Sequence, residues 1–177
     1  MVVRPARVED ATAIAEVHVR TWQAAYAHVF GTKRLAELDV QRRAASWRQG
    51  LADLRPHETV LVAEDEDGRV VGFASVGESP VAADEGELHA IYVLPEAWGD
   101  GTGRSLVAAA VDALRSEGFR AAILWVLEDN PRARRFYERE GWRVDGARRE
   151  GEHLGVRTAE IEYRIELEPV TPGCAAP

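Results

Sequence analysis

Three glycines at alternate positions, Gly99, Gly101 and Gly103, stand between an apolar stretch and an amphipathic one. Residues 87–94 predict a strand, and residues 105–117 predict a helix that ends at a glycine. Because glycine has no Cβ, successive backbone N–H groups of such a loop can point toward one spot. The start of the helix adds unpaired N–H groups and the positive end of the helix dipole. The sequence therefore predicts a strand–loop–helix unit that cradles a phosphate group.

Two common phosphate-binding patterns do not match this loop. A dinucleotide-binding loop has the pattern Gly-x-Gly-x-x-Gly, and Arg104 stands where its third glycine is needed. A Walker loop ends in Gly-Lys-Ser/Thr, and the single lysine of the chain, Lys33, lies elsewhere. These mismatches count against a nucleotide-dependent enzyme. A plain turn between a strand and a helix is the simpler alternative for the loop.

The rest of the 177-residue chain alternates between strand and helix periodicity. Strands are predicted at residues 2–4, 59–64, 69–77, 87–94, 121–127, 142–144 and 158–167, and helices at residues 9–26, 39–52, 105–117 and 130–141. This order predicts a mixed α/β sheet with helices on its faces. We expect residues 1–168 to form one domain and residues 169–177 to be a mobile tail.

Composition limits the partners and the location that we expect. The net charge of −8 disfavours nucleic acid and mildly favours a cationic small molecule. The longest apolar run, residues 121–127, is far below the ~18 residues of a membrane span, and residues 1–5 lack a signal core. We therefore expect a cytoplasmic protein without a membrane partner. The one cysteine, Cys174, lies in the tail, so neither a catalytic thiol nor a metal site is expected.

Two motifs together make the sequence resemble the GCN5-related N-acetyltransferase (GNAT) superfamily over residues 2–168. The family's loop, Gln/Arg-x-x-Gly-x-Gly/Ala, corresponds to residues 98–103, with Trp98 where Arg or Gln is usual. The family's segment Asn-x-x-Ala-x-x-Phe-Tyr-x-x-x-Gly-Phe corresponds to residues 130–142. The resemblance implies a mixed, mostly antiparallel sheet of about six to seven strands, with strands four and five splayed apart and about four flanking helices.

The resemblance also implies that acetyl-coenzyme A (acetyl-CoA) is the cosubstrate. Its pyrophosphate would lie on the glycine loop, and its pantetheine arm would pair with strand four. A charge that compensates for Trp98 is expected from Arg104, and an arginine among residues 132–135 can reach the adenosine phosphate. The residues expected to bind acetyl-CoA on this basis are Ile91, Tyr92, Val93, Gly99, Asp100, Gly101, Thr102, Gly103, Arg104, Ser105, Asn130, Ala133 and Tyr137.

Acetyl transfer to an amine requires a base, a polarised carbonyl, a proton donor for the leaving thiolate, and close reactants. Family members usually place a tyrosine near the thioester sulfur, which makes Tyr137 the candidate general acid, with simple packing as the alternative. Glu87 is the candidate base, directly or through a water, on the strand face that alternation gives to His89 and Ile91. His89 is the rival base. A solvated glutamate at a strand start is the simpler alternative for Glu87.

Trp22 and Tyr26 lie one turn apart on the predicted helix 9–26, which walls the acceptor site in the family. With Glu87 and His89 they are predicted to bind the acceptor, although an aromatic stripe in the core explains them as well. Residues 79–86 and 145–157 are also expected to shape this site. The predicted function is an acetyl-CoA-dependent N-acetyltransferase for a small-molecule or peptide amine. A catalytically silent acyl-CoA sensor is the alternative, and a homodimer agrees with the resemblance.

Overall fold

A seven-stranded sheet frames the protein in the computed structural model, which describes residues 1–81 and 84–167. Its strands are β1 (Val2–Pro5), β2 (Thr59–Glu64), β3 (Val70–Glu78), β4 (Gly86–Val93), β5 (Ala121–Leu127), β6 (Arg143–His153) and β7 (Val156–Glu166). The strand order is β1-β2-β3-β4-β5-β7-β6, and every pair is antiparallel except β4 and β5. The predicted mixed, mostly antiparallel sheet is confirmed.

The described residues contain six α-helices rather than the expected four or so. They are α1 (Ala11–Ala25), α2 (Ala27–Phe30), α3 (Thr32–Ala36), α4 (Val40–Ala52), α5 (Thr102–Ser116) and α6 (Pro131–Arg139). The helix predicted over residues 9–26 is a 3-10 turn, Val8–Asp10, followed by α1. The short helices α2 and α3 were not predicted. They flank Gly31, whose φ of 76° interrupts the helical path and leaves each of them too short for a periodic signal.

Helices cover both faces of the sheet. On β3, the ring of Phe73 lies 5.9 Å from that of His18 on α1. Its neighbour Gly72 faces α5, where a Cβ would lie 2.9 Å from Cδ1 of Leu106. Because neighbouring residues of a strand point to opposite faces, α1 and α5 lie on opposite sides of the sheet. The buried apolar residues of both layers form one main core around β2, β3 and β4.

The sheet opens between β4 and β5. These strands pair only at Gly86 with Ala122 and at Glu87 with Ile123. A bulge in β4, where Ser75 pairs with Ala90 and Val76 pairs with Leu88, bends the strand at this point. Beyond the bulge the edge of β4 has no partner strand among the described residues, so the predicted splay of strands four and five is confirmed.

The last hairpin is longer than predicted. The strand expected at residues 142–144 is the eleven-residue β6, and the strand expected at 158–167 is β7. β6 is exposed along most of its length and therefore lacks the alternation that marks a half-buried strand. Its backbone is held instead by β7, from Arg143 opposite Arg164 to His153 opposite Val156.

Some expectations fall outside what the structure describes. Residues 169–177, the predicted tail with Cys174, are not among the described residues. That residues 1–168 form a single domain stays a prediction. Within the described ranges, no helix is long and apolar enough to cross a membrane, and no group of three or more His, Cys, Asp or Glu side chains is arranged to hold a metal ion.

Candidate active site

A cavity of about 590 Å³ lies where β4 and β5 separate. Its walls come from α1, β4, the glycine loop, β5, α6 and the β6–β7 hairpin. Most of the predicted site residues line it: Trp22, Tyr26, Glu87, His89, Ile91, Tyr92, Val93, Gly99, Gly101, Gly103, Arg104, Asn130, Ala133 and Tyr137. Asp100, Thr102 and Ser105 do not. The fold therefore brings both predicted halves of the site, donor and acceptor, into one space.

The glycine loop has the backbone geometry of an anion cradle. Gly99 and Gly101 have φ values of 91° and 100°, which favour glycine because a Cβ would be strained there. α5 begins at Thr102, three residues earlier than predicted, so Gly103 lies in its first turn. The first N–H group to bond back along the helix is that of Ser105, to the carbonyl of Gly101 at 3.0 Å. The N–H groups of Gly103 and Arg104 have no helical acceptor and are free for an anion.

Asp100 and Thr102 turn away from the cavity because they bond to other groups. The N–H of Thr102 donates to Oδ1 of Asp100 at 2.8 Å, and this bond lowers the pKa of the Asp100 carboxyl. The hydroxyl of Thr102 donates to Sδ of Met1 at 3.2 Å. Neither side chain lines the cavity, and the N–H of Thr102 is already used by Asp100.

Trp98 and Arg132 join the loop to α6. The indole N–H of Trp98 donates to the carbonyl of Val93 at 2.7 Å, which fixes the ring. Cζ of Arg132 lies 3.5 Å from the centre of that ring, and partial desolvation lowers the pKa of Arg132. Arg132 has no acidic partner among the described residues. By contrast, Arg104 lies 3.6 Å from Glu140, and Arg134 donates to the hydroxyl of Tyr163 at 3.2 Å.

Backbone groups of β4 face the opening in the sheet. The N–H of Leu94 donates to the carbonyl of Val71 on β3 at 2.8 Å, so alternation turns the backbone of Val93 and Ile91 the other way, toward the gap. The carbonyl of Val93 also accepts from the hydroxyl of Thr21 at 3.0 Å, besides Trp98. Ile91 is therefore the position whose backbone stays open to a ligand. The backbone of Tyr92 faces β3.

Glu87 is buried at the rim of the cavity with 7% of its surface exposed. Its Oε2 accepts from the hydroxyl of Ser79 at 3.2 Å, and its Oε1 lies 3.4 Å from Nδ1 of His89. The burial rules out a freely solvated glutamate. The expectation that strict alternation sets Glu87, His89 and Ile91 on one face is wrong, because the bulge interrupts the alternation at His89.

Tyr137 on α6 is 8% exposed and lines the cavity. Burial, and to a lesser extent the nearby Tyr92, raises the pKa of the Tyr137 hydroxyl. This hydroxyl makes no hydrogen bond to the part of the chain that the structure describes. The ring also packs on Phe136, with the centroids 5.3 Å apart. The side chain thus contributes to packing and presents an unpaired donor to the cavity.

Aromatic side chains of α1 and α2 form one wall. The ring of Trp22 stacks on Phe30 at 5.4 Å and meets the ring of Tyr26 edge-on at 5.3 Å. Nδ2 of Asn130 lies 3.5 Å from the Tyr26 hydroxyl, while its Oδ1 caps α6 by accepting from the N–H of Ala133 at 3.0 Å. Burial raises the pKa of Tyr26, which keeps this hydroxyl neutral.

The cavity is also lined by Trp125, Arg149, His153 and Glu160, none of which was predicted individually. Arg149 and His153 lie in the segment 145–157 that was expected to shape the acceptor site. Cζ of Arg149 lies 4.3 Å from the centre of the Trp125 ring, and its Nε lies 2.5 Å from Oε2 of Glu160. Nε2 of His153 lies 3.1 Å from the other oxygen, Oε1. The sequence signal for this cluster was the two-residue turn at Leu154 and Gly155, which sets the register of the hairpin.

The acetyltransferase (GNAT) family matches this chain over residues 13–142. The chain belongs to the GNAT family. A GNAT relative, the uncharacterized N-acetyltransferase YuaI of Bacillus subtilis (strain 168), is 38% identical over 133 residues, which is 73% of either chain.

Two solved structures share the GNAT fold of this chain. The PaiA N-acetyltransferase from Thermoplasma acidophilum, in complex with coenzyme A, has a TM-score of 0.71 at 18% identity and covers 93% of this chain and 98% of its own. YncA, a putative acetyltransferase from Salmonella typhimurium with its cofactor acetyl-CoA, has a TM-score of 0.71 at 23% identity and covers 99% of each chain.

Proposed function

We propose that this GNAT protein transfers the acetyl group of acetyl-CoA to a primary amine of a small molecule or peptide. The observation that carries the proposal is that one cavity joins the glycine loop, the opened edge of β4, the free hydroxyl of Tyr137 and the carboxylate of Glu87. The similar folds that hold coenzyme A and acetyl-CoA support it.

The described residues fit acetyl-CoA at both of its polar parts. The free N–H groups at the start of α5 suit the pyrophosphate, and Arg132 on Trp98 supplies positive charge beside them. Arg132 fills the role that sequence reasoning gave to Arg104, since Arg104 already faces Glu140. The open backbone of Ile91 suits an amide of the pantetheine arm, in the way that an added strand pairs with a sheet edge.

The thioester supplies an activated acyl carbon. Protein side chains accept the proton of the amine and donate a hydrogen bond to the leaving sulfur. As the amine nitrogen bonds to this carbon and the carbon–sulfur bond breaks, the proton of the amine passes to Glu87, directly or through a water. Tyr137 donates a hydrogen bond to the departing sulfur. Burial raises the pKa of Tyr137, so its hydroxyl stays protonated and can donate this hydrogen bond.

The experiment that tests this function is release of free thiol from acetyl-CoA across a panel of primary amines. Wild type and Tyr137→Phe are compared at saturating acetyl-CoA. We expect amine-dependent thiol release that the variant loses by about 10²- to 10⁴-fold, the usual contribution of a proton donor. Thermal protection by acetyl-CoA without turnover of any amine would favour the sensor instead. Absence of both would overturn the assignment of the cavity to acetyl-CoA.

A further inference from the structure

The cluster around Arg149 has a geometry that its role in the hairpin does not require. Arg149 and Glu160 are directly opposite each other on β6 and β7, which by itself is an ordinary cross-strand ion pair. The guanidinium, however, reaches across β7 to lie over Trp125 on β5. This placement brings a positive charge from an edge strand to the wall of the cavity.

The contacts of Arg149 leave one edge of its guanidinium free. Nε is used by Glu160, and one face of the plane lies against Trp125. Neither terminal nitrogen, Nη1 or Nη2, donates a hydrogen bond to the described part of the chain. Two parallel N–H groups on a fixed guanidinium match the two oxygens of a carboxylate. Because Glu160 and Trp125 already hold the side chain, little conformational entropy is lost when such a ligand binds.

The charges of the cavity divide between its two ends. Its other arginines in the described chain, Arg104, Arg132 and Arg139, lie on α5 and α6, near the glycine loop. At the acceptor end stand the carboxylates of Glu87 and Glu160 and the guanidinium of Arg149, which Glu160 pairs through Nε. The indole rings of Trp22 and Trp125 are also on the wall. Glu87 lies opposite Ile123 on β5, two residues before Trp125, so the two charged sites are offset by roughly 7 Å along the strand.

Taking the proposed acetyl transfer as its basis, we infer that the acceptor is a primary amine that also carries a carboxylate. The amine lies at Glu87, the apolar part of the acceptor lies on the indole rings, and the carboxylate is bound by the free edge of Arg149. Glu160 is a positioning residue, since it holds Nε of Arg149 and leaves the two terminal nitrogens free. The cavity therefore selects an amino acid, or the end of a peptide that carries both an amine and a carboxylate, over a simple cationic amine.

The test uses matched acceptors that differ only in this group. Glycine, β-alanine, 4-aminobutyrate and 6-aminohexanoate are each compared with the corresponding carboxamide. Because a carboxamide also changes the basicity of the amine, the quantity compared between proteins is the ratio of kcat/KM for acid and amide. In wild type the best acid exceeds its amide. In Arg149→Gln this ratio falls by about 10- to 100-fold, as loss of a bidentate charge-assisted pair predicts.

Two further variants separate recognition from folding. Arg149→Lys keeps the positive charge but lacks the two parallel N–H groups of the guanidinium. Its acid-to-amide ratio of kcat/KM therefore lies between those of wild type and Arg149→Gln. Arg148→Gln changes the neighbouring arginine, which is exposed, lies 3.3 Å from Glu128 and does not line the cavity, so its ratio equals that of wild type. Thermal protection of each variant by acetyl-CoA shows that the donor site has folded.

The possible outcomes distinguish failure of the carboxylate site from failure of the proposed acetyl transfer. Turnover of acids and amides that falls equally in Arg149→Gln overturns the carboxylate site and leaves acetyl transfer standing. Turnover restricted to amines without a carboxylate also overturns the carboxylate site and leaves acetyl transfer standing. Failure of every amine, with acetyl-CoA giving no thermal protection, overturns both. Protection by acetyl-CoA with no turnover of the acids overturns the carboxylate site, because these acceptors span the spacing that the cavity offers.

Discussion

The guanidinium of Arg132 lies 3.5 Å over the indole ring of Trp98, although the two residues belong to different elements. Trp98 stands at the loop position where the family usually has an arginine or glutamine. A cation is thus present near the glycine loop, but it comes from α6 and is held in place by the tryptophan. The ring is itself fixed by its hydrogen bond to Val93.

This pair predicts a specific defect in donor binding. Arg132→Gln removes the charge beside the proposed pyrophosphate site and leaves the acceptor end intact. We expect KM for acetyl-CoA to rise by about 10-fold, because a charge-assisted hydrogen bond contributes roughly 1.5–3 kcal/mol. We expect kcat to change little. Initial rates at varied acetyl-CoA with the acceptor saturating give both constants.

A matched control for Arg132 lies on the same helix. Arg135 is exposed and does not line the cavity, so Arg135→Gln removes the same charge without touching the site. Its KM for acetyl-CoA should equal that of wild type. Equal increases in the two variants would instead mean that only the net charge of the protein matters, and a rise in neither would remove Arg132 from the donor site.

The pair Glu87 and His89 allows the two candidate bases to be distinguished. Glu87→Gln keeps the shape of the side chain but cannot accept the amine proton, so we expect a loss of about 10²- to 10⁴-fold in kcat/KM near neutral pH. The loss should shrink as pH rises toward the acceptor's own pKa, because the amine then arrives already deprotonated. Log kcat/KM measured from pH 6.5 to 9.5 shows this as a steeper slope for the variant.

His89→Gln is the comparison for this prediction. The His89 side chain is 31% exposed and 3.4 Å from Glu87, so its loss should reduce the rate far less than loss of Glu87. The reverse order of effects would make His89 the base. A loss in Glu87→Gln that stays constant across the pH range would mean that Glu87 positions the acceptor and takes no proton.

The glycine loop and α6, which form the proposed donor half of the site, were predicted from sequence because their signals are local. Glycines that need positive φ, such as Gly101, and a helix cap such as Asn130 act within a few residues of themselves. These signals predicted the loop and the start of α6, whereas Tyr137 was singled out by the resemblance. The opening of the sheet followed from the resemblance, and no pattern in β4 indicates where pairing with β5 stops.

The acceptor half was predicted only in part, because the places of Arg149 and His153 within the segment 145–157 depend on register between distant segments. β6 was expected to end near residue 144, which left Arg149 and His153 outside any strand. Once β6 pairs with β7 over eleven residues, Arg149 lies opposite Glu160 and both face the cavity. Exposed edge strands carry almost no periodic signal, so backbone pairing alone determines their length. Arg132 was predicted only as one of three arginines that can reach the adenosine phosphate, because its partner Trp98 lies 34 positions earlier in the sequence.

The positive φ of Gly101 predicts opposite effects of two glycine-to-alanine changes. At φ 100° an alanine is strained, so Gly101→Ala should lower the free energy of unfolding by about 1–2 kcal/mol and raise KM for acetyl-CoA. Gly50 lies inside α4 with nothing within 4 Å of a Cβ, so Gly50→Ala should stabilise the protein by about 0.5–1 kcal/mol. Urea unfolding measures both changes. Destabilisation by both would contradict the backbone explanation.

His18 predicts how stability changes with acidity. Its ring stacks on Tyr92 at 4.8 Å, its Nδ1 is buried without a hydrogen-bond partner among the described residues, and burial lowers its pKa to about 4. The unfolded chain, with an ordinary pKa near 6.5, therefore binds more protons than the folded chain between these two values. The contribution of His18 to the free energy of unfolding is therefore complete above pH 6.5. It is lost as the pH falls to 4, which lowers the free energy of unfolding by about 3 kcal/mol in all.

The prediction for His18 is tested by the difference between two proteins, because carboxylates also titrate in this range. His18→Phe cannot take up the proton, so its free energy of unfolding should fall by about 2–3 kcal/mol less than that of wild type between pH 7 and pH 4.5. His28 is exposed, with Nε2 3.0 Å from the carbonyl of Asp129, so His28→Phe should follow wild type. Parallel curves for wild type and His18→Phe would show that the folded protein admits a proton at His18 without loss of packing.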